Sequence, residues 1–211
     1  MSLKLYYAPK TCSLAPMIAL EEAGAEYEAH KVNFAENEQN TAPYKYVNPK
    51  GRVPALATDK GVITENVAIL AFIADVYPKM RLSRSDPFAF AQMQAFNAYL
   101  SSTVHPHHAH NRRGSRWSDD PAVVEALKIK VPQNMADCAE YIEKYYLKGN
   151  SPEAPWVMGG QYTVADAYLF TIANWLEGDG VDTSKFPKIL AHRAAMLERP
   201  AVVAAMEKHG G

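Results

Sequence analysis

The sequence has almost no cysteine: two in 211 residues, Cys12 and Cys138, with no CxxC pair. That excludes a disulfide framework and points to a reducing cytoplasm. It also lacks an excess of charge of either sign. Twenty-two Lys and Arg stand against 23 Asp and Glu, for a formal net charge of −1. No global basic field marks the chain for nucleic acid or an anionic membrane. Long hydrophobic runs are missing too, and none approaches the roughly 20 residues that a membrane-spanning helix needs. The first residues, MSLKLYYAPK, go straight into a strand pattern without the apolar stretch of a signal peptide, so none is expected. Internal repeats and low-complexity segments are absent as well. What is present is 48% hydrophobic residues, enough for a core, in a length that fits one large domain or two smaller ones.

The first eighty or so residues alternate strand and helix signals. Leu3 to Tyr7 reads as a strand, and Ser13 to Ala23 as a helix that stops at Gly24. Tyr27 to Phe34 reads as a second strand, and Asn37 to Tyr46 as a short helix or a loop. Ala55 to Thr58 and Val62 to Thr64 flank a D-K-G turn and predict a hairpin. Asn66 to Val76 predicts a helix ended by Pro78. This βαβ unit followed by an antiparallel hairpin and a helix is a thioredoxin-like α/β layout, βαβαββα overall.

LSRSDP, residues 82–87, reads as a linker between an N-terminal domain, 1–81, and a C-terminal domain, 88–211. Beyond it the period becomes helical. Met93, Phe96, Leu100 and Val104 fall on one face. Val124, Leu127, Val131, Met135, Cys138, Ile142 and Tyr145 form a second stripe, with a kink predicted at Pro132. Val164 to Leu176 is apolar nearly all round, as a buried central helix is. Thr163 and Asp166 ahead of it have capping-box spacing, which gives Asp166 a structural role rather than that of a catalytic acid. Shorter helices follow from about Pro187 and from Pro200 to a stop at Gly210. The second half is all-α.

Three segments of the first half carry chemistry. Cys12 stands just after a strand at a helix start, where dipole and free amides lower a thiol's pKa; the alternative is a small buried hydrophobe. A lone thiol at this place needs an external thiol to resolve a mixed disulfide. Cys138 lies within an apolar stripe and reads as core. Pro54 cannot donate to a central ladder, so Val53-Pro54 leaves the amide and carbonyl of Val53 for an extended ligand. Asn66 is a good N-cap, and the amides behind it hold a carboxylate while Glu65 accepts from an ammonium. That pair suits the α-amino acid end of a ligand, with simple capping as the alternative.

The second half contributes HPHHAHNRRGSRW. His105/His108 and His107/His110 have the i,i+3 spacing of metal-ligand pairs, yet no Cys or carboxylate lies among them to complete a site, and no metal is expected. A polar mouth for an acidic substrate, built with Arg112, Arg113 and Arg116, is one use of this segment, and solvated helix-end residues are the other.

YYAPKTCSLAPMIALEEAG, YVNPKGRVPAL, TENVAILAFIADVYP and YTVADAYLF occur in this order, and with them the chain resembles the glutathione S-transferases over nearly its whole length. It is most similar to the bacterial beta class with its cysteine-type site. The resemblance implies a thioredoxin-like domain plus a helical domain, glutathione as co-substrate, and a cytosolic homodimer with the site near the subunit interface. It implies that Cys12 contacts the glutathione sulfur, with Ser13 an alternative donor and His105 a histidine near that sulfur. Val53 would pair with the cysteinyl part, Pro54 match the family's cis-proline, and Glu65 and Asn66 grip the γ-glutamyl end. Asn66 replaces the commoner Ser or Gly. A lysine often found after the second strand has no counterpart, which shifts the glycyl carboxylate to Lys50 or Arg52. Tyr7, Tyr99, His108, Arg113 and Trp117 would line the substrate pocket.

The function so implied is conjugation of glutathione, by a transferase of the detoxification type, with small hydrophobic or partly anionic electrophiles. Alternatives are a glutathione-dependent thiol reductase or peroxidase acting through a Cys12 mixed disulfide, a non-catalytic binding protein of the same fold, and metal storage by the histidines.

Overall fold

The computed structural model describes residues 2–149, 151 and 153–210. Leu3–Tyr7 forms β1, its odd-numbered side chains buried and the two between them half-buried, as a strand with one face on a core requires. It pairs in parallel with β2, Glu28–Lys31, and antiparallel with β3, Ala55–Thr58, which turns back into β4, Gly61–Thr64. The strand order is β2-β1-β3-β4. A parallel neighbour needs a crossover, and α1, Leu14–Glu22, supplies it.

The second strand is shorter than the sequence predicts. Asn33 Oδ1 accepts from the Ala35 amide at 3.1 Å and starts a run of tight turns, 34–36 and 38–40, before the short helix α2, Ala42–Val47. The third helix, α3, spans Asn66–Val76, as predicted. Its N-cap is Glu65 rather than Asn66. The Asn66 side chain is drawn inward, where its Nδ2 donates to the Cys12 carbonyl at 3.0 Å.

The segment read as a linker is strapped down. Leu82 is buried and its carbonyl accepts from the Val164 amide at 2.9 Å, while Gln161 Nε2 donates to the carbonyls of Arg81 and Ser83. Pro87 belongs to the next helix, α4, Pro87–Tyr99, where a missing N–H costs nothing and Asp86 caps the Ala89 amide at 2.8 Å.

Helix α4 continues through a wide turn, Leu100–Val104, into α5, His105–Arg113. Met93, Phe96, Leu100 and Val104 are all buried. At Pro132 the chain breaks rather than kinks, giving α6, Pro121–Ile129, and α7, Val131–Tyr141, with Lys130 between. The predicted stripe along α7 ends early. A second wide turn, Ile142–Tyr146, closed by Leu147 N–H to the Ile142 carbonyl at 3.0 Å, adds a residue to the turn. Tyr145 therefore faces solvent, and Tyr146 packs on Phe96 with ring centroids 4.4 Å apart.

Every residue of α8, Val164–Ala173, is buried. Asp166 holds its start. The carboxylate accepts from the amides of Thr163 and Val157, each at 2.7 Å, and lies 3.2 Å from His192 Nε2. That is the structural role the spacing predicts. Helix α9, Pro187–Leu197, and α10, Pro200–His209, follow, the latter stopped by Gly210 in the left-handed region at φ 98°. Helix α1 packs against both α8 and α10, so one continuous core joins the sheet to the helices and brings His209 beside the start of α1.

Candidate active site

A cavity of about 1020 Å³ opens where the β1–α1 loop, the chain around Val53 and the start of α3 face α5 and the end of α8. Cys12, Val53, Pro54, Glu65 and Asn66 all line it, so the structure brings together the three segments singled out in the first half.

Cys12 is 8% exposed, and its thiol donates to the Val53 carbonyl at 3.5 Å. Burial pushes that thiol up to about 12, against the opposing pull of Arg113. The expectation that a helix start would lower it fails. The first turn of α1 begins at Leu14, and desolvation of a thiolate outweighs the dipole. Cys12 is therefore a protonated hydrogen-bond donor at neutral pH. The Val53-Pro54 peptide is cis. Ahead of it, the Arg52 carbonyl accepts from Tyr44 Oη at 2.8 Å and Asn48 Nδ2 at 2.6 Å, which fixes the path of the chain into Val53. Glu65 sits at φ 73°, a conformation that costs a non-glycine residue about 1–3 kcal/mol and that clusters at functional sites.

The facing wall comes from the second half. His105, His108, Arg113, Arg116 and Trp117 line it. His105 is pushed down to about 4, first by burial and then by His108, Arg113 and Arg116, so it is neutral at neutral pH. Arg116 is lowered from the usual guanidinium range by burial and by Arg113 and Arg52, a sign of crowded positive charge. Four arginines, 52, 112, 113 and 116, thus border one cavity, and an anion there relieves the repulsion among Arg52, Arg113 and Arg116.

Four expected site residues lie elsewhere. Ser13 is fully buried, with its hydroxyl held between Ala8, Thr11 at 2.7 Å and His209 Nε2 at 3.0 Å, so it has no free donor for a ligand sulfur. Tyr7 turns its hydroxyl to the Lys208 carbonyl at 3.1 Å, away from the cavity. Tyr99 packs against Tyr141 and Tyr146, outside the cavity lining. Lys50 pairs with Glu65 and with Thr64 Oγ1 at 2.8 Å, outside the cavity lining, which leaves Arg52 and Lys10 as the cations on that wall.

The histidines split between two faces of α5. His107 and His110 point away from the cavity, His107 Nδ1 lying 3.6 Å from Cys138 Sγ and His110 meeting Trp117 edge-on. Among the described residues no group of three or more His, Cys, Asp or Glu is placed to hold a metal ion.

Sequence reasoning missed Thr11, Tyr168, Trp175, Asp179 and His209, all of which line the cavity. Trp175 stacks on His108 with ring centroids 4.1 Å apart, and Asp179, 3% exposed, takes His108 Nδ1 at 2.7 Å. The one available signal was NWLEGDG, a polar burst closing an apolar helix, but no spacing rule ties residue 179 to residue 108.

Comparison with known proteins bears on this arrangement. The family profile for the glutathione S-transferase N-terminal domain matches residues 1–75, and that for the C-terminal domain matches residues 113–209. The chain is 31% identical to Glutathione S-transferase GstA of Escherichia coli over 99% of both chains. It is 29% identical to the maleylacetoacetate isomerase of Pseudomonas aeruginosa, over 94% of this chain and 96% of that one. A glutathione transferase homologue from Sulfitobacter, solved with bound glutathione, superposes with a TM-score of 0.93 at 43% identity over 98% of both chains. The beta-class glutathione S-transferase of Sphingomonas chungbukensis superposes with a TM-score of 0.84 at 32% identity over 98% of both.

Proposed function

The chain belongs to the glutathione S-transferase family, and from that premise we propose that its cavity binds glutathione on the Cys12 wall and conjugates it to a small, carboxylate-bearing electrophile on the α5 wall. Glu65 accepts from the γ-glutamyl ammonium, and the amides at the start of α3 take the carboxylate beside it. The backbone of Val53 pairs with the cysteinyl residue, and Arg52 takes the glycyl carboxylate. The Cys12 thiol, kept protonated by burial, turns its one S–H from the Val53 carbonyl to the glutathione sulfur and favours its thiolate form. Residues 1–81 thus supply the glutathione side and residues 88–211 the electrophile side, where Arg113, Arg116 and Trp117 receive an anion with an apolar body.

The observation that carries this reading is the convergence of Cys12, Val53-Pro54 and Glu65-Asn66 on one wall of a cavity whose other wall holds paired arginines. Calorimetry tests it. Glutathione should bind the wild-type protein, and Glu65→Ala should weaken it about tenfold or more, the cost of one charge-assisted hydrogen bond of roughly 1.5–3 kcal/mol. Equal affinities for the two proteins would sink the assignment.

The thiol reductase or peroxidase reading is less well supported. A thiol pushed up to about 12 is a poor attacking group near neutral pH. Mass spectrometry after treatment with oxidised glutathione should find no glutathionyl adduct on Cys12.

A further inference from the structure

On the electrophile side of the cavity stands a unit that the glutathione site does not use. His108 stacks flat on Trp175, with 18° between the ring planes, and its Nδ1 meets the Asp179 carboxylate at 2.7 Å. Asp179 is itself buried and fixed by Asn111, whose Nδ2 donates to its other oxygen at 2.9 Å. With Nδ1 committed as the donor to Asp179, the ring's other nitrogen, Nε2, has no partner among the described residues. All four side chains line the cavity. A buried carboxylate that fixes the tautomer and plane of a histidine lining a substrate space, with the second nitrogen unpartnered, is the arrangement of a general acid–base group. The neighbouring His105 is held neutral by burial, so it does not compete for that proton.

We propose that His108, oriented by Asp179 and Asn111, is the proton donor for addition of glutathione across the carbon–carbon double bond of an unsaturated ketone that carries a carboxylate. The inference rests on the reading of the cavity as a glutathione and electrophile site. The glutathione thiol first loses its proton to water. Its sulfur then bonds the β carbon while the π pair of the double bond shifts to join the α carbon to the carbonyl carbon and the C=O π pair moves onto the ketone oxygen. The His108 imidazolium gives its Nε2 proton to the α carbon, and the neutral ring takes one back from water. In sum, one S–H and one C=C become one C–S and one C–H. Asp179 stabilises the imidazolium without itself taking the proton, and Arg113 and Arg116 hold the substrate carboxylate. Displacement of chloride from an aromatic ring needs no proton delivered to carbon, so that reaction leaves this unit idle.

The two chemistries separate the proposal from the function it rests on. Turnover of benzoylacrylic acid and of chlorodinitrobenzene is measured with glutathione for the wild-type protein, His108→Gln and Asp179→Asn. Gln keeps the bulk and a hydrogen-bonding end, and Asn keeps an acceptor for Nδ1, so both variants retain the packing. Loss of general acid catalysis costs about 10²–10⁴-fold in kcat. The expected result is that His108→Gln loses at least about tenfold more kcat on the enoic acid than on the aryl chloride. Asp179→Asn should show the same bias, in kcat rather than KM. An equal loss on both substrates, or no loss on either, overturns the proposal. Absence of turnover of both substrates by the wild-type protein would instead overturn the glutathione transferase reading of the cavity.

Discussion

Cys12 is where residue-scale chemistry departs from what position alone implies. A thiol beside a helix start invites a thiolate, yet nearly complete burial and donation to the Val53 carbonyl keep it protonated. Alkylation should report this: with a pKa of about 12, iodoacetamide at pH 7 should modify Cys12 at least about a hundredfold more slowly than a free cysteine of pKa near 8.5. Modification at the free-cysteine rate would contradict the burial argument. The arginines make a second residue-scale case. Crowded Arg52, Arg113 and Arg116 select for negative charge, so Arg113→Ala should raise KM about tenfold for benzoylacrylic acid and less than about twofold for a neutral enone. A rise of equal size for both would make Arg113 a wall rather than an anion receptor.

Helix ends carry the fold at the next scale. The buried Asp166 carboxylate satisfies the amides of Thr163 and Val157 and contacts His192, so Asp166→Ala strands several buried donors at about 1–3 kcal/mol each. A loss of about 3–5 kcal/mol is expected in denaturant unfolding, and a loss under 1 kcal/mol would contradict the capping role. The contact of α10 with α1 has an acid-sensitive side. His209, bonded to Ser13, is held neutral in the fold by burial, down to about 4, while the unfolded chain's histidine titrates near 6.5. Between those values the unfolded state binds more protons, so stability falls as pH drops through that window. Melting temperatures from pH 7 to 4 should fall less steeply for His209→Gln than for the wild-type protein. Element types were legible in the sequence because apolar period and capping residues are local: Leu3–Tyr7, Asn66–Val76, the Thr163–Asp166 box and Pro200 at a helix start all stand where those signals put them. The two wide turns, 100–104 and 142–146, were not legible, and the second of them sends Tyr145 outward.

For the whole molecule, the sequence pointed to the Cys12 wall more fully than to the wall it faces. Cys12, Val53-Pro54 and Glu65-Asn66 each carry a local backbone signal and come together through the sheet, whereas His108 and Asp179 meet only through the packing of α5 against the chain after α8. Ser13, Tyr7, Tyr99 and Lys50 had the right chemistry, but the packing turned each of them elsewhere. The family resemblance implies a homodimer, which we carry forward as a proposal. Sedimentation equilibrium should give twice the chain mass of 23.4 kDa, and a monomer at micromolar concentration would contradict it. We propose above that Cys12, as a protonated donor turned from the Val53 carbonyl, stabilises the thiolate of glutathione held in this cavity. The ultraviolet absorbance of bound glutathione thiolate, followed against pH in the wild-type protein and in Cys12→Ala, measures it directly. One hydrogen bond to a charged sulfur, at roughly 1.5–3 kcal/mol, predicts a bound-thiol pKa about one to two units higher in the variant. Coincident titrations of the two proteins would contradict the account.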